Sequence, residues 1–312
     1  MKYPKAIFKE GRVYCPECNK GYADHSGFRY HYRKEHFENL KDAVKKEVVV
    51  DDYGLTPKQL KKILVAKKEK AIKPFNIQIG ETYKFAALTD THLCSTEEQL
   101  DALHEFYEIC RKETVEDIYN AGDMVAGQGV YSGQEYEVHT FGADNQVAYF
   151  NKNYPKVKDV KTHFIIGNHD YSYYKQIGLD VGRMISADRE DMNYLGVFEA
   201  NIMIKGIPLI RLVHPDGGMA YALTYRMQKY VEQISSGRKP RIIISGHQHT
   251  MASFLYRNVH VLQAGAFEGQ TKLILRKGIN PSIGGYIVEV KLSNDSHKSI
   301  IGFKPEFRRL RY

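Results

Sequence analysis

Five short motifs in this 312-residue chain are built from residues that bind divalent cations: Asp90-x-His92, Gly122-Asp123, Gly167-Asn168-His169-Asp170, His214 and Gly246-His247-x-His249. Neutral imidazoles suit manganese, iron or zinc better than magnesium or calcium. Taken singly each motif is weak, because a Gly-Asp pair is common and a lone histidine at a strand end is usually a satisfied structural residue. Five in this order, each closing an apolar run, are hard to assign to chance.

A second donor set lies near the front, in "YCPECNKGYADHSGFRYHYRKEHF", residues 14–37. Two residues separate Cys15 from Cys18, twelve separate Cys18 from His31, and four separate His31 from His36. This is the two-Cys, two-His spacing of a structural zinc site. Tyr22 and Phe28 supply the small core that such a module needs, and a module this small folds only with its metal. With His31 as helix position 7, the usual base-contact positions fall on Asp24, Gly27 and Tyr30, a poor set for reading sequence. Backbone or end binding through Arg29, Arg33 and Lys34, or docking on a protein partner, fits better.

The downstream motifs need elements to hold them. Each follows a short β-rich run: "YKFAAL" before Thr-Asp-Thr-His, "DIYNA" before Gly-Asp, "THFII" before Gly-Asn-His-Asp, "IPLIRLV" before His-Pro, and "RIIIS" before Gly-His-Gln-His. Helical stretches such as 97–112 lie between some of them, which predicts layered α/β packing with the working residues on loops at strand ends. Thr56 and Pro57 read as an N-cap and first-turn pair opening a short helix over 57–70. Residues 1–80 carry 18 Lys and Arg against 10 Asp and Glu, and residues 81–312 carry 27 of each. The net charge of +8 therefore sits on the front quarter, fitting either an arm that meets a polyanion or a solvated linker. The remaining cysteines, Cys94 and Cys110, read as buried free thiols. His25, His104, His139, His163, His260 and His297 read as structural or solvated. No apolar run reaches the length of a membrane span and the start lacks the apolar core of a secretory signal, so an intracellular, cytoplasmic protein is expected.

In its five motifs the chain resembles the calcineurin-like metallophosphoesterases, whose signature runs D-x-H, GD, GNH[D/E], H, GH-x-H. The resemblance implies a four-layer αββα sandwich, placed over residues 77–312, and the Cys/His spacing and charge set a ββα finger at 1–39 and a basic linker at 40–76 before it. It implies that Asp90, His92 and His249 hold a first metal, that Asn168, His214 and His247 hold a second, and that Asp123 bridges both. Manganese is the expected metal, with iron or zinc as alternatives, besides one structural zinc on the finger. His169 would face the scissile phosphate and protonate the leaving oxygen after attack by a metal-bridging hydroxide, with Asp170 orienting its ring. The run "GDMVAGQGVYSGQEYE", residues 122–137, resembles the corresponding segment of the exonuclease small subunit of archaeal family-D DNA polymerases. Break-repair nucleases of the superfamily place a second histidine three residues after the bridging aspartate, where this chain has Ala126.

The expected function is hydrolysis of nucleic-acid phosphodiester bonds, by an exonuclease or end-processing enzyme with DNA favoured over RNA. Gln134 and Tyr171 are candidate substrate contacts, the latter with Tyr173 and Tyr174 as base-stacking rings or as loop core. The tail "KPEFRRLRY" is either a backbone contact or a solvated end. The alternative is a phosphatase or phosphodiesterase for small nucleotides or phosphoproteins, with the finger as a protein-interaction module. A non-enzymatic scaffold stands third.

Overall fold

A computed structural model describes residues 6–9, 11–36, 74–218, 220–296 and 298–310. The chain divides into two compact units, Met1–Lys70 and Ala71–Tyr312. The helix expected over 57–70 and His297 lie outside the described residues.

In the first unit, strands β1 (Ile7–Lys9), β2 (Arg12–Tyr14) and β3 (Gly21–Tyr22) form an antiparallel sheet followed by helix α1 (His25–Glu35). The expected ββα unit thus carries one further strand, β1, whose side chains are exposed and leave no apolar pattern. Asp24 caps α1, its Oδ1 accepting from Gly27 N at 2.8 Å, so this carboxylate is engaged at the helix terminus and does not project as a base reader. Val13, Phe28 and Tyr32 are buried around Cys15.

The second unit is a four-layer αββα sandwich. One mixed sheet has the order β15-β14-β5-β6-β7-β8, where β5 (Thr82–Leu88), β6 (Asp117–Asn120), β7 (Lys161–Ile166) and β8 (Met192–Val197) run parallel. Strands β14 (Gly284–Leu292) and β15 (Ile300–Arg309) add antiparallel to it. The other sheet has the order β12-β13-β11-β10-β9-β4, from β4 (Phe75–Ile77), β9 (Glu199–Ile204), β10 (Ile207–Val213), β11 (Ile242–Ser245), β12 (Met251–Tyr256) and β13 (Val259–Ala264).

Strand alternation explains the layering. Phe85 and Ala87 face the core between the sheets, with Tyr119, Ile210, Ile244 and Leu262. Ala86, Leu88 and Ile118 face the opposite way, under helices α2 (Leu100–Lys112), α3 (Ala143–Asn153) and the later α5 (Val181–Asp188). Helix α4 (Tyr171–Ile177) precedes α5. Helix α6 (Tyr225–Gln233) covers the outer face of the second sheet through Met227 and Val231, and a short α7 spans Lys272–Arg276. Because both faces of the central strands are covered, those strands read as continuous apolar runs. Cys94 and Cys110 are buried and unpaired. Among the described residues no helix is long and apolar enough to cross a membrane.

Residues Lys304–Arg309 of the basic tail lie in edge strand β15, with Pro305 opposite Val288, an edge position where a missing N–H costs nothing on the open side. Arg308 pairs with Glu113, at the end of the helix Leu100–Lys112, at 2.6 Å and with Glu306 of the same strand at 2.8 Å, so it is already partnered.

Candidate metal centre

The five motifs meet where the strands of both sheets end. Asp90 and His92 follow β5, Asp123 follows β6, Asn168 and His169 follow β7, His214 follows β10, and His247 and His249 follow β11. Asp90, His92, Asp123, His247 and His249 all have positive φ, from 41° to 77°. Side chains rarely adopt that backbone, and it concentrates at functional sites. The packing is tight enough to require glycine at the motif positions Gly122, Gly167 and Gly246. A Cβ on Gly167 would lie 2.2 Å from Asp123 Oδ1 and 2.7 Å from His214 Cε1, and one on Gly246 would lie 2.2 Å from Thr89 Oγ1.

Three overlapping donor groups result: Asp90, His92 and His249; Asp123, His214 and His247; and His92, Asp123 and His169. His92 Nε2 stands 3.2 Å from His249 Nε2 and 3.6 Å from both Asp90 Oδ1 and Asp123 Oδ2. On the other side, His214 Nε2 is 3.1 Å from Asp123 Oδ2 and from Asn168 Oδ1, and His247 Nδ1 is 2.9 Å from the same Asn168 oxygen. Asp123 therefore has donors on both sides, and its Oδ1 also accepts from His169 N at 2.8 Å.

The imidazoles of the second half are oriented by backbone carbonyls. His214 gives Nδ1–H to Ala121 O and His247 gives Nε2–H to Gly217 O, both at 2.8 Å. The Gly217 loop is itself clamped by Arg226, whose guanidinium donates to the carbonyls of Asp216 and Gly218.

The charge balance fits a cation. Burial would push Asp90 and Asp123 up, yet the surrounding imidazoles hold Asp90 below and Asp123 well below the ordinary carboxylate range. Burial likewise opposes protonated imidazole, but Glu268, Asp90 and Asp123 pull His92 up to about 10, and Asp123 first pulls His214 up to about 9. A dry cluster with three carboxylates draws positive charge from whatever can supply it, and divalent metals are the matching source. Asp90, His92, Asp123, Asn168, His214, His247 and His249 could hold them.

His169 lines the cleft beside this cluster, its ring edge-on to His92 at 4.4 Å. Its Nδ1–H donates to Ala126 O at 2.7 Å, which leaves Nε2 as the free nitrogen, and burial lowers its pKa to about 4. The orienting group is thus a backbone carbonyl, and the expectation for Asp170 is corrected. Asp170 is fully buried and accepts from Met124 N (3.1 Å), Val125 N (2.9 Å) and Gly167 N (2.9 Å). It ties the Asp123 loop to the His169 loop and makes no bond to the ring.

Gln134 is also corrected. Gln134 is buried, accepts from Val130 N at 2.9 Å and donates to Ala126 O at 2.7 Å, so it clamps the glycine-rich loop. The Tyr171 ring is stacked on Tyr174 at 5.1 Å and edge-on to Phe198 at 5.0 Å, and Tyr173 is buried. The other described histidines have local partners, such as Asn153 O for His104 and Asp117 for His163. In the first unit Cys15, Cys18, His31 and His36 converge as a zinc-finger-like group, with Cys18 Sγ 3.1 Å from His31 Nε2.

Sequence reasoning missed Glu268, Tyr131 and Lys277, which line the same cleft. Glu268 obeys the strand-end rule, lying four residues beyond β13, but its run "GAFEG" contains no histidine to draw notice. The cleft continues past Gly217, Gly218, His247 and Lys277 into a second depression lined by Gly129, Val130, Lys175 and Gln176.

A family model for calcineurin-like phosphoesterases matches residues 83–251. The DNA polymerase II small subunit of Halobacterium salinarum is 24% identical over 236 residues, covering 64% of this chain and 46% of that protein. The subunit of the same name from Archaeoglobus fulgidus is 25% identical over 209 residues, covering 56% and 42%. The chain thus spans less than half the length of these curated relatives. A solved structure of an archaeal phosphodiesterase aligns over 72% of this chain and 100% of its own, at 15% identity and a TM-score of 0.39.

Proposed function

The chain belongs to the calcineurin-like phosphoesterase family and is a metal-dependent phosphoesterase; on that premise we propose that it cleaves nucleic-acid phosphodiester bonds, as an exonuclease or end-processing nuclease. Asp90, His92 and His249 would hold one divalent metal, Asn168, His214 and His247 would hold another, and Asp123 would serve both. When bound, such a pair supplies Lewis-acid charge and an activated water for in-line displacement. Manganese would fill this pair and zinc the finger site.

The chain's own residues do the remaining work. Asp123 holds the backbone of His169, Ala126 O holds its Nδ1–H, and Nε2 is left to meet the substrate phosphate and pass a proton to the leaving oxygen. The substrate's negative charge favours the protonated ring, against the burial that lowers its pKa.

The observation that carries the nucleic-acid reading is the two-sided cleft. One side has an apolar wall of Tyr131, Leu273, Ile274 and Ile279, the other a polar wall including Lys175 and Gln176, and Lys277 borders both. A monoester needs room on one side of phosphorus, whereas a diester in a polymer extends both ways and carries further phosphates for lysines to meet. The similarity to proteins named DNA polymerase II small subunit supports DNA over RNA, and the finger and its basic surroundings would grip the backbone or a partner protein.

The test uses manganese-loaded full chain on end-labelled single- and double-stranded DNA and RNA, with bis(p-nitrophenyl) phosphate in parallel and His169→Ala as control. A ladder of shortened oligonucleotides that the variant loses is the expected result. Turnover of the small diester with intact oligonucleotides would overturn the nuclease reading in favour of a small-nucleotide or phosphoprotein substrate.

A further inference from the structure

The two halves of the metal centre differ in how their histidines are held. His214 and His247 each give their outward N–H to a backbone carbonyl at 2.8 Å. His249 presents Nε2 to the cluster, 3.2 Å from His92 Nε2, but its other nitrogen, Nδ1, is buried without a hydrogen-bond partner. A metal-bound imidazole almost always donates its second N–H to a carboxylate, carbonyl or water, and a buried donor left unmatched is costly.

The group facing that nitrogen is Glu268, with Oε2 3.8 Å from His249 Nδ1 and 3.8 Å from His92 Nε2. Its placement is fixed by backbone. Phe267 N donates to Asp90 O at 2.9 Å, Gln99 N donates to Phe267 O at 2.8 Å, and Gly269 N donates to Glu97 O at 2.8 Å. Glu268 is thereby strapped to the loop that carries Asp90 and His92, and it is 5% exposed. It lies beyond the residues that the family model matches.

We propose that Glu268 is a positioning residue for the first metal: its carboxylate accepts a hydrogen bond from the Nδ1–H of His249 and fixes that ring with Nε2 toward the ion. The inference rests on the two-metal reading above. Its oxygen stands equally far from two nitrogens, but only one can remain a donor. When His92 Nε2 serves as a ligand it carries no proton, and the Nδ1–H of His249 is left as the partner. Closing 3.8 Å to hydrogen-bond distance takes a shift of about 1 Å, well within one glutamate side chain. The first half then contains Asp90 and Glu268 beside the shared Asp123, while the second half has the neutral Asn168. The two sites therefore differ in charge, and the first fills first.

The test titrates the full chain, with zinc kept in the finger, against manganese and follows bound ion by electron paramagnetic resonance. Wild type is expected to take up two manganese ions, the tighter at the first site. Glu268→Ala weakens that tighter step by about 10–100-fold, Glu268→Gln, which keeps an acceptor oxygen, weakens it less, and the second step stays within about threefold of wild type. As a readout independent of affinity, a slowly exchanging ring N–H of His249, assigned in zinc-loaded protein by its loss in His249→Gln, moves upfield in Glu268→Gln. Unchanged affinities and an unmoved N–H resonance would overturn the proposal while leaving the two-metal reading intact. Fewer than two manganese ions in wild type would overturn that reading and the proposal with it.

Discussion

Replacing Asp170 by alanine separates two roles that its position beside His169 makes easy to confuse. Its carboxylate accepts three backbone N–H groups, from Met124, Val125 and Gly167, and is fully buried. Removing it leaves three buried donors unmatched. At the lower bound of about 1 kcal/mol for each orphaned donor, the loss is at least about 3 kcal/mol. Asparagine keeps one oxygen and turns an NH2 toward at least one of the three donors, so Asp170→Asn should fall between alanine and wild type. The assay is guanidinium unfolding followed by near-ultraviolet circular dichroism, where a lower midpoint at unchanged slope reports stability alone. Activity of whatever protein remains folded is measured beside it. An unchanged midpoint combined with a large drop in turnover and a displaced pH profile would refute this reasoning, because that pattern belongs to a carboxylate acting on the His169 ring.

Three further outcomes follow from the same geometry. Gly167→Ala forces a Cβ to within 2.2 Å of Asp123 Oδ1 and 2.7 Å of His214 Cε1; manganese uptake measured by equilibrium dialysis should fall below detection at one site at least. Cys18→Ser should release one zinc per chain by mass spectrometry and unfold the first unit, whose core is little more than Val13, Cys15, Phe28 and Tyr32, while turnover of bis(p-nitrophenyl) phosphate is unchanged. Lys277→Ala should raise KM for an oligonucleotide severalfold and reduce the salt dependence of binding by about one phosphate contact, again without changing the small diester.

The sandwich was legible because the parallel strands lie between two covered faces, so "YKFAAL", "THFII" and "RIIIS" read as apolar runs that stop where the chain meets the site. Edge elements lacked that signal. Strand β1 exposes all three of its side chains, and β15 contains Pro305 and several cations, a composition that suits an edge but reads as a tail. In the site, residue types pointed to the right cluster but not to every partner. The loop over 127–133 has few backbone partners of its own, so polar side chains supply them: Gln146 binds both Gly127 N and O, Gln176 donates to Gln128 O, and Gln134 meets Val130 N. Glutamines spent in this way look like substrate contacts in a sequence, because both uses place an amide in a glycine-rich loop. Backbone acceptors such as Ala121 O and Ala126 O leave no trace in residue identity at all.

The two metal-binding groups of this chain also differ in what sets their geometry. None of Cys15, Cys18, His31 and His36 has positive φ, and the hydrophobic core beside them is small, so the ion must supply the folding free energy. In the second unit five donor residues hold left-handed backbone, a conformation that costs on the order of 1–3 kcal/mol at each residue and persists only where the surroundings impose it. Two sheets and their covering helices impose it here, through bonds such as His247 N to Asp90 Oδ2 at 2.8 Å and His92 N to Asp123 O at 3.0 Å. The fold therefore sets the donor positions before any ion arrives. The strain is carried by the sandwich core, which is why the residues that look most alike in the sequence, histidines spaced for a metal, stabilise one unit and strain the other.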